Sequence, residues 1–97
     1  MDDKDLTKFF EKRMAMAESA RTSLEITAPS PSHLLRIAED FLEMIDAYIS
    51  DARHLADNGD IPRAIESVSY AYGWIDSGVR LGLFDVSSDD VRFTLSE

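Results

Sequence analysis

The sequence predicts an all-α fold, an up-down-up bundle of three helices with a short C-terminal tail. Three observations lead there. Apolar residues recur at helical spacing in three long segments, Pro-rich and Asn-Gly breaks separate those segments, and no long stretch alternates as strands do. The chain has 97 residues, which bounds it to a single domain whose core needs no staple.

Helix 1 is expected over about residues 3–24. Asp2, Asp3 and Asp5 sit at its positive end, and Leu6, Phe9, Phe10, Ala17, Ala20 and Leu24 share one stripe. Arg13 falls within that stripe. Either its stem lies on the core while the guanidinium reaches water, or it pairs with a carboxylate of another helix. Two prolines within residues 26–30 and just beyond exclude helix there, so this is a loop, with Ser30 as cap and Pro31 at the first helical position of helix 2.

Helix 2 is expected over about residues 31–58. Leu34, Ile37, Ala38, Phe41, Ile45, Tyr48, Ala52 and Leu55 make one stripe, and Leu35, Leu42, Ile49 and Ala56 a second beside it. So wide an apolar arc needs two neighbours, which makes helix 2 the centre of the bundle. Asn58-Gly59 supplies a left-handed stop, Asp60 an N-cap and Pro62 a first-turn proline, and so short a connection forces helix 3 antiparallel.

Helix 3 is expected over about residues 61–81, with a core stripe of Ile61, Ile65, Val68, Tyr72, Ile75 and Val79. Ala64, Ser67, Ala71, Gly78 and Gly82 lie beside it, small enough to admit another helix closely. Tyr70, Trp74 and Leu81 fall on the face turned away from the core. They are either covered by the tail or by helix 1, or form a patch that binds a partner or a second copy. The tail, residues 83–97, drops the helical pattern; Ser87 with Asp90 can cap a turn, and Val91, Phe93 and Leu95 alternate as a segment docked over Trp74 and Tyr70 would.

Composition excludes several classes of chemistry. There are no cysteines, hence no disulfide, thiolate metal site or cysteine nucleophile. Nineteen acidic against ten basic residues give a net charge of −9, and the basic residues are scattered, so nucleic acid is not an expected partner. The acidity suits solubility, with a basic protein partner as the functional alternative. No apolar run spans a bilayer and the start MDDKD is unlike a signal peptide, so no membrane association and a cytoplasmic location are expected.

No catalytic residues, cofactor or metal site are assigned. Glu43-x-x-Asp46 and Asp51-x-x-His54 are isolated pairs, whereas a di-metal bundle needs several facing inward. Neither histidine has a serine placed to form a triad, and no phosphate-cradling glycine motif occurs. Asp46, Asp51 and Asp76, with Arg13, Arg53 or Arg80 as counter-charge, are the possible ligand or ion-pair residues. Asp76 and Arg80 have the i,i+4 spacing of a helical pair.

The residues Asp46-Ala-Tyr48, Asp51-Ala-Arg-His54, Asn58-Gly59-Asp60, Arg63-Ala64, Tyr70-Ala-Tyr-Gly-Trp-Ile-Asp76 and Arg80-Leu-Gly-Leu-Phe84 resemble the archaeal family known as domain of unknown function 357. The likeness covers about residues 46–84 and implies a small three-helix bundle from an archaeal source, with no established activity to carry over. A weaker likeness is to tetratricopeptide-type hairpins, through Gly59-Asp60 and Ala64, but no second copy is present. Two functions are therefore expected. The first is a non-enzymatic interaction module that binds a protein partner or itself through Tyr70, Trp74, Leu81 and Phe84. The alternative is a small helical enzyme or ligand-binding bundle using Asp46, Asp51 and Asp76 with an Arg counter-charge.

Overall fold

The computed structural model describes residues 2–86. Three helices, α1 (Asp3–Ser23), α2 (His33–Asp57) and α3 (Ile61–Arg80), form a bundle 47 Å long, and two two-residue strands, β1 (Glu25–Ile26) and β2 (Phe84–Asp85), close one end.

Each helix starts on a side-chain cap. The Asp2 carboxylate accepts from the Asp5 amide at 2.9 Å, Ser32 Oγ from Leu35 at 3.0 Å and Asp60 from Arg63 at 3.3 Å. The cap of α2 is thus Ser32, two residues later than Ser30, and Pro31 lies before the helix. Both hydroxyls have the right chemistry, and the loop's path decides which one reaches the first turn. α2 and α3 end alike, with a left-handed glycine (Gly59, φ 84°; Gly82, φ 76°) and paired bonds back into the last turn. These are Asp60 N–H to Leu55 O and Gly59 N–H to Ala56 O, then Leu83 N–H to Gly78 O and Gly82 N–H to Val79 O.

The partners across the seams give the directions. Tyr70 of α3 stacks on Tyr48 and Trp74 meets Phe41, so α2 and α3 run antiparallel. Arg21 pairs with Asp46 and Glu18 with Arg53, so α1 and α2 do as well. Alanines make close packing possible: Ala17 and Ala20 of α1, Ala38 and Ala52 of α2, and Ala64 and Ala71 of α3 are all fully buried, around Ile45, Val68 and Ile75. The expectation that helix 2 is the centre is corrected: α3 is the helix packed on both neighbours, because α1 touches α2 only slightly and rests mainly on α3. There the Tyr72 hydroxyl donates to the Arg13 carbonyl at 3.0 Å. On α1 the buried line runs through Phe10, Met14, Ala17 and Ala20, leaving Phe9 39% exposed.

The tail expected from residue 83 begins inside the core. Leu83 and Phe84 are each 2% exposed, and the Phe84 ring occupies the space beside Gly78 that was expected to admit a helix. β2 pairs antiparallel with β1, Glu25 opposite Asp85 and Ile26 opposite Phe84. The Thr27 and Ala28 amides donate to Leu83 O at 2.9 and 3.2 Å, so the α1–α2 loop is tied to the exit of α3. The expected cap at Ser87 and the docking of Val91, Phe93 and Leu95 lie outside the described residues.

Candidate functional site

On α3, Tyr70, Trp74, Ser77 and Leu81 follow one another at four- and three-residue steps and so stand on one face. On α2, Leu34, Phe41 and Tyr48 recur every seven residues and do the same. The two rows meet along the α2–α3 seam. The rings of Tyr48 and Tyr70 stack with centroids 5.2 Å apart, and Phe41 meets Trp74 edge-on at 4.8 Å. Seven residues further along each helix from that pair, about 10 Å at 1.5 Å per residue, stand Leu34 and Leu81. They are 49% and 66% exposed, and Tyr70 is 54% exposed. The result is an apolar strip on the side of the bundle away from the α1–α3 contact.

Two shallow grooves run along this strip and share Tyr70. One, of about 250 Å³, is lined by Phe41, Tyr70, Gly73, Trp74 and Ser77. The other, of about 330 Å³, has the stacked tyrosines with Ser67 and Leu55, and the rest of its lining is Asp51, His54, Arg63 and Glu66. Ser67 is itself committed to the fold, since its hydroxyl donates to Tyr48 O at 2.8 Å and holds the two helices in register. Arg63 has Asp60 as a partner at 3.7 Å.

Among the expected contact residues, Tyr70 and Leu81 are exposed and Trp74 is half-buried, covered on one side by Phe41 rather than by α1. Phe84 is corrected: it is core, 2% exposed and edge-on to Phe41 at 6.4 Å, and offers nothing to a partner. Leu34, Phe41 and Tyr48 belong to the strip and were expected only as core. Their exact heptad spacing was the available signal, and it was hidden because the same positions also extend the core stripe.

The carboxylates do not converge. Asp46 is held by Arg21, Nε to Oδ1 at 2.7 Å, in a groove between α1 and α2. Arg53, in the same groove, pairs with Glu18 instead of an aspartate of the expected set. Asp51 lines the α2–α3 groove. Asp76 is 4% exposed and takes the Arg80 Nε at 2.8 Å, the pair its spacing predicts. Arg13 pairs with none of the three; its guanidinium lies over the rings of Phe9 and Tyr72, 5.0 and 5.6 Å from their centroids. Arg21 was missed because it lies at the edge of its helix's polar face, and only the crossing of α1 over α2 makes it the neighbour of Asp46. Among the described residues no three His, Asp or Glu side chains are gathered as a metal ion would need, and no helix is long and apolar enough to cross a membrane.

The comparison with known families decides the affiliation. The model of the family described as "Protein of unknown function (DUF357)" matches residues 12–84. The chain belongs to the DUF357 family. The crystal structure of protein AF1782 from Archaeoglobus fulgidus, assigned to DUF357, is similar over 87% of this chain and 96% of that one, with a TM-score of 0.70 at 27% identity. No curated protein matches. The DUF357 match takes in both helices of the seam and most of α1, so the strip is carried on the part of the chain that the family defines.

Proposed function

We propose that this DUF357 chain is a non-enzymatic protein-interaction module whose contact surface is the α2–α3 strip. The observation that carries this reading is the exposure of Leu34, Tyr70 and Leu81 in one line with half-buried Phe41, Tyr48 and Trp74. Single exposed apolar side chains are ordinary, but a contiguous row of aromatic and leucine residues is the composition of interface hot spots. The separation of Asp46, Asp51 and Asp76 supports binding over catalysis, because acid–base work needs its groups around one reacting atom.

The test is a photo-crosslinking residue placed at position 81, with Glu11 on α1 as the control position. A captured protein is then purified and its binding reconstituted with wild type and with Tyr70→Ala/Leu81→Ser. The expected result is capture from position 81 only and loss of reconstituted binding in the double variant. Equal capture from both positions, or unchanged binding by the double variant, rejects the strip as the contact surface.

A further inference from the structure

Resting on the strip as a contact surface, we infer that its occupant is a basic amphipathic helix of another protein, which packs over Gly73 and sends a Lys or Arg into the Tyr48–Tyr70 groove. Three observations converge on that chemistry.

The first is Gly73. Glycine inside a helix is unfavourable relative to alanine, so an interior glycine calls for a reason. Among the described residues the packing gives none, since a Cβ at Gly73 would meet no other side chain or neighbouring element within 4 Å. Ser69, Gly73 and Ser77 follow at four-residue steps, so this flank of α3 is low and smooth, with Tyr70 and Trp74 rising beside it. Such a surface lets a second helix approach the backbone closely, and the apolar strip supplies its burial.

The second is charge. Asp51 and Glu66 line the groove beside the stacked tyrosines, and neither has an ion-pair partner among the described residues, while Arg63 is already matched by Asp60. Arg80, on the same flank of α3, is likewise held by Asp76. Two unpaired carboxylates next to tyrosine π-faces form a receptor for an ammonium or guanidinium group.

The third is the whole-chain charge of −9, which attracts a basic segment and opposes a second copy carrying the same charge.

The experiment uses the full chain and two probes: an 18-residue amphipathic helical peptide of Leu and Lys, and its twin with Glu at every Lys position. Trp74 emission and peptide anisotropy are read together, after sedimentation equilibrium on the protein alone. The Leu/Lys peptide is expected to bind and blue-shift Trp74, and the Leu/Glu twin to fail. Asp51→Asn/Glu66→Gln should weaken binding about tenfold, as two partly exposed charge contacts would. The control Glu11→Gln/Glu39→Gln makes the same change in net charge at two exposed positions off the strip and should change binding less than about twofold. Gly73→Leu should abolish binding with the helices intact by circular dichroism.

Equal binding of both peptides, blocked by Gly73→Leu, would keep the strip as a contact surface and reject the cationic occupant. Equal weakening by the two charge-neutralised pairs would reduce the effect to unspecific attraction and reject the groove. A wild-type dimer dissolved by Leu81→Ser would make the occupant a second copy. Binding of neither peptide would overturn the inference, and the crosslinking experiment then decides separately whether the strip is a contact surface at all.

Discussion

Gly73 and Gly78 stand on different sides of α3, and their surroundings differ accordingly. At Gly78 a Cβ would overlap the Phe84 ring, which is fully packed and has nowhere to move. Gly78→Ala is therefore expected to destabilise the protein by about 2 kcal/mol through overpacking. At Gly73 there is open space, so Gly73→Ala should raise stability by roughly 0.5–1 kcal/mol through helix propensity alone. Thermal or urea denaturation of the two variants distinguishes them by sign. A similar contrast holds for the ion pairs. Arg53 and Glu18 are both about half exposed, so Arg53→Ala should cost less than about 0.5 kcal/mol. Removing Arg80 takes the guanidinium from an aspartate that is 4% exposed. Because Arg80 itself is half in water, the expected cost is about 2 kcal/mol, below that of breaking a fully buried pair. Equal effects of the two arginine variants in urea denaturation would show that burial of Asp76 does not set the energetics.

At the scale of elements, the short segment after α3 does more than its length suggests. Gly82 turns the chain back, Leu83 accepts from the α1–α2 loop, and Phe84 fills the space that Gly78 leaves between α3 and Phe41. The ring thus bridges α2 and α3, while the neighbouring Leu83 carbonyl holds the loop. Phe84→Ala is expected to cost about 4 kcal/mol, a large part of the stability of a domain this size. Its local signature would be faster hydrogen exchange at the Thr27 and Ala28 amides, both of which donate to Leu83 O. Unchanged protection at those two amides would mean that the loop is held independently of the ring. Of this junction only the helix stop at Gly82 was legible in the sequence. A two-residue ladder has no periodicity, and Leu83-Phe84 after a helix-stopping glycine reads equally well as the start of a tail. The helices, by contrast, were legible to within a few residues. Each carries a 3.6-residue apolar pattern, broken in α1 only by Arg13, and α2 and α3 are bounded by residue types with one dominant use, such as the Asn58-Gly59 stop and the Asp60 cap.

Over the whole molecule, the apolar strip along the α2–α3 seam separates folding from contact. Leu34 and Leu81 remain largely exposed, so replacing both by serine should change stability by no more than about 0.5 kcal/mol each. A larger loss in denaturant titrations would mean that the two leucines serve the fold. On α3 the strip was half visible beforehand, because Tyr70, Trp74 and Leu81 fall outside the core stripe. Its α2 half was not, because Leu34, Phe41 and Tyr48 continue a stripe that also contains the buried Ile45 and Ala52. By itself the sequence determined the number of helices, their order and their stops, since these follow from local periodicity and from backbone chemistry at Gly, Asp and Pro. It also determined that the chain is acidic and cannot use thiol chemistry. The tertiary structure alone decided which edge of each wide stripe is left uncovered, which carboxylate meets which arginine, and that Phe84 points inward. Those outcomes depend on how the helices cross and how close alanine and glycine let them come, and a one-dimensional pattern does not contain that distance.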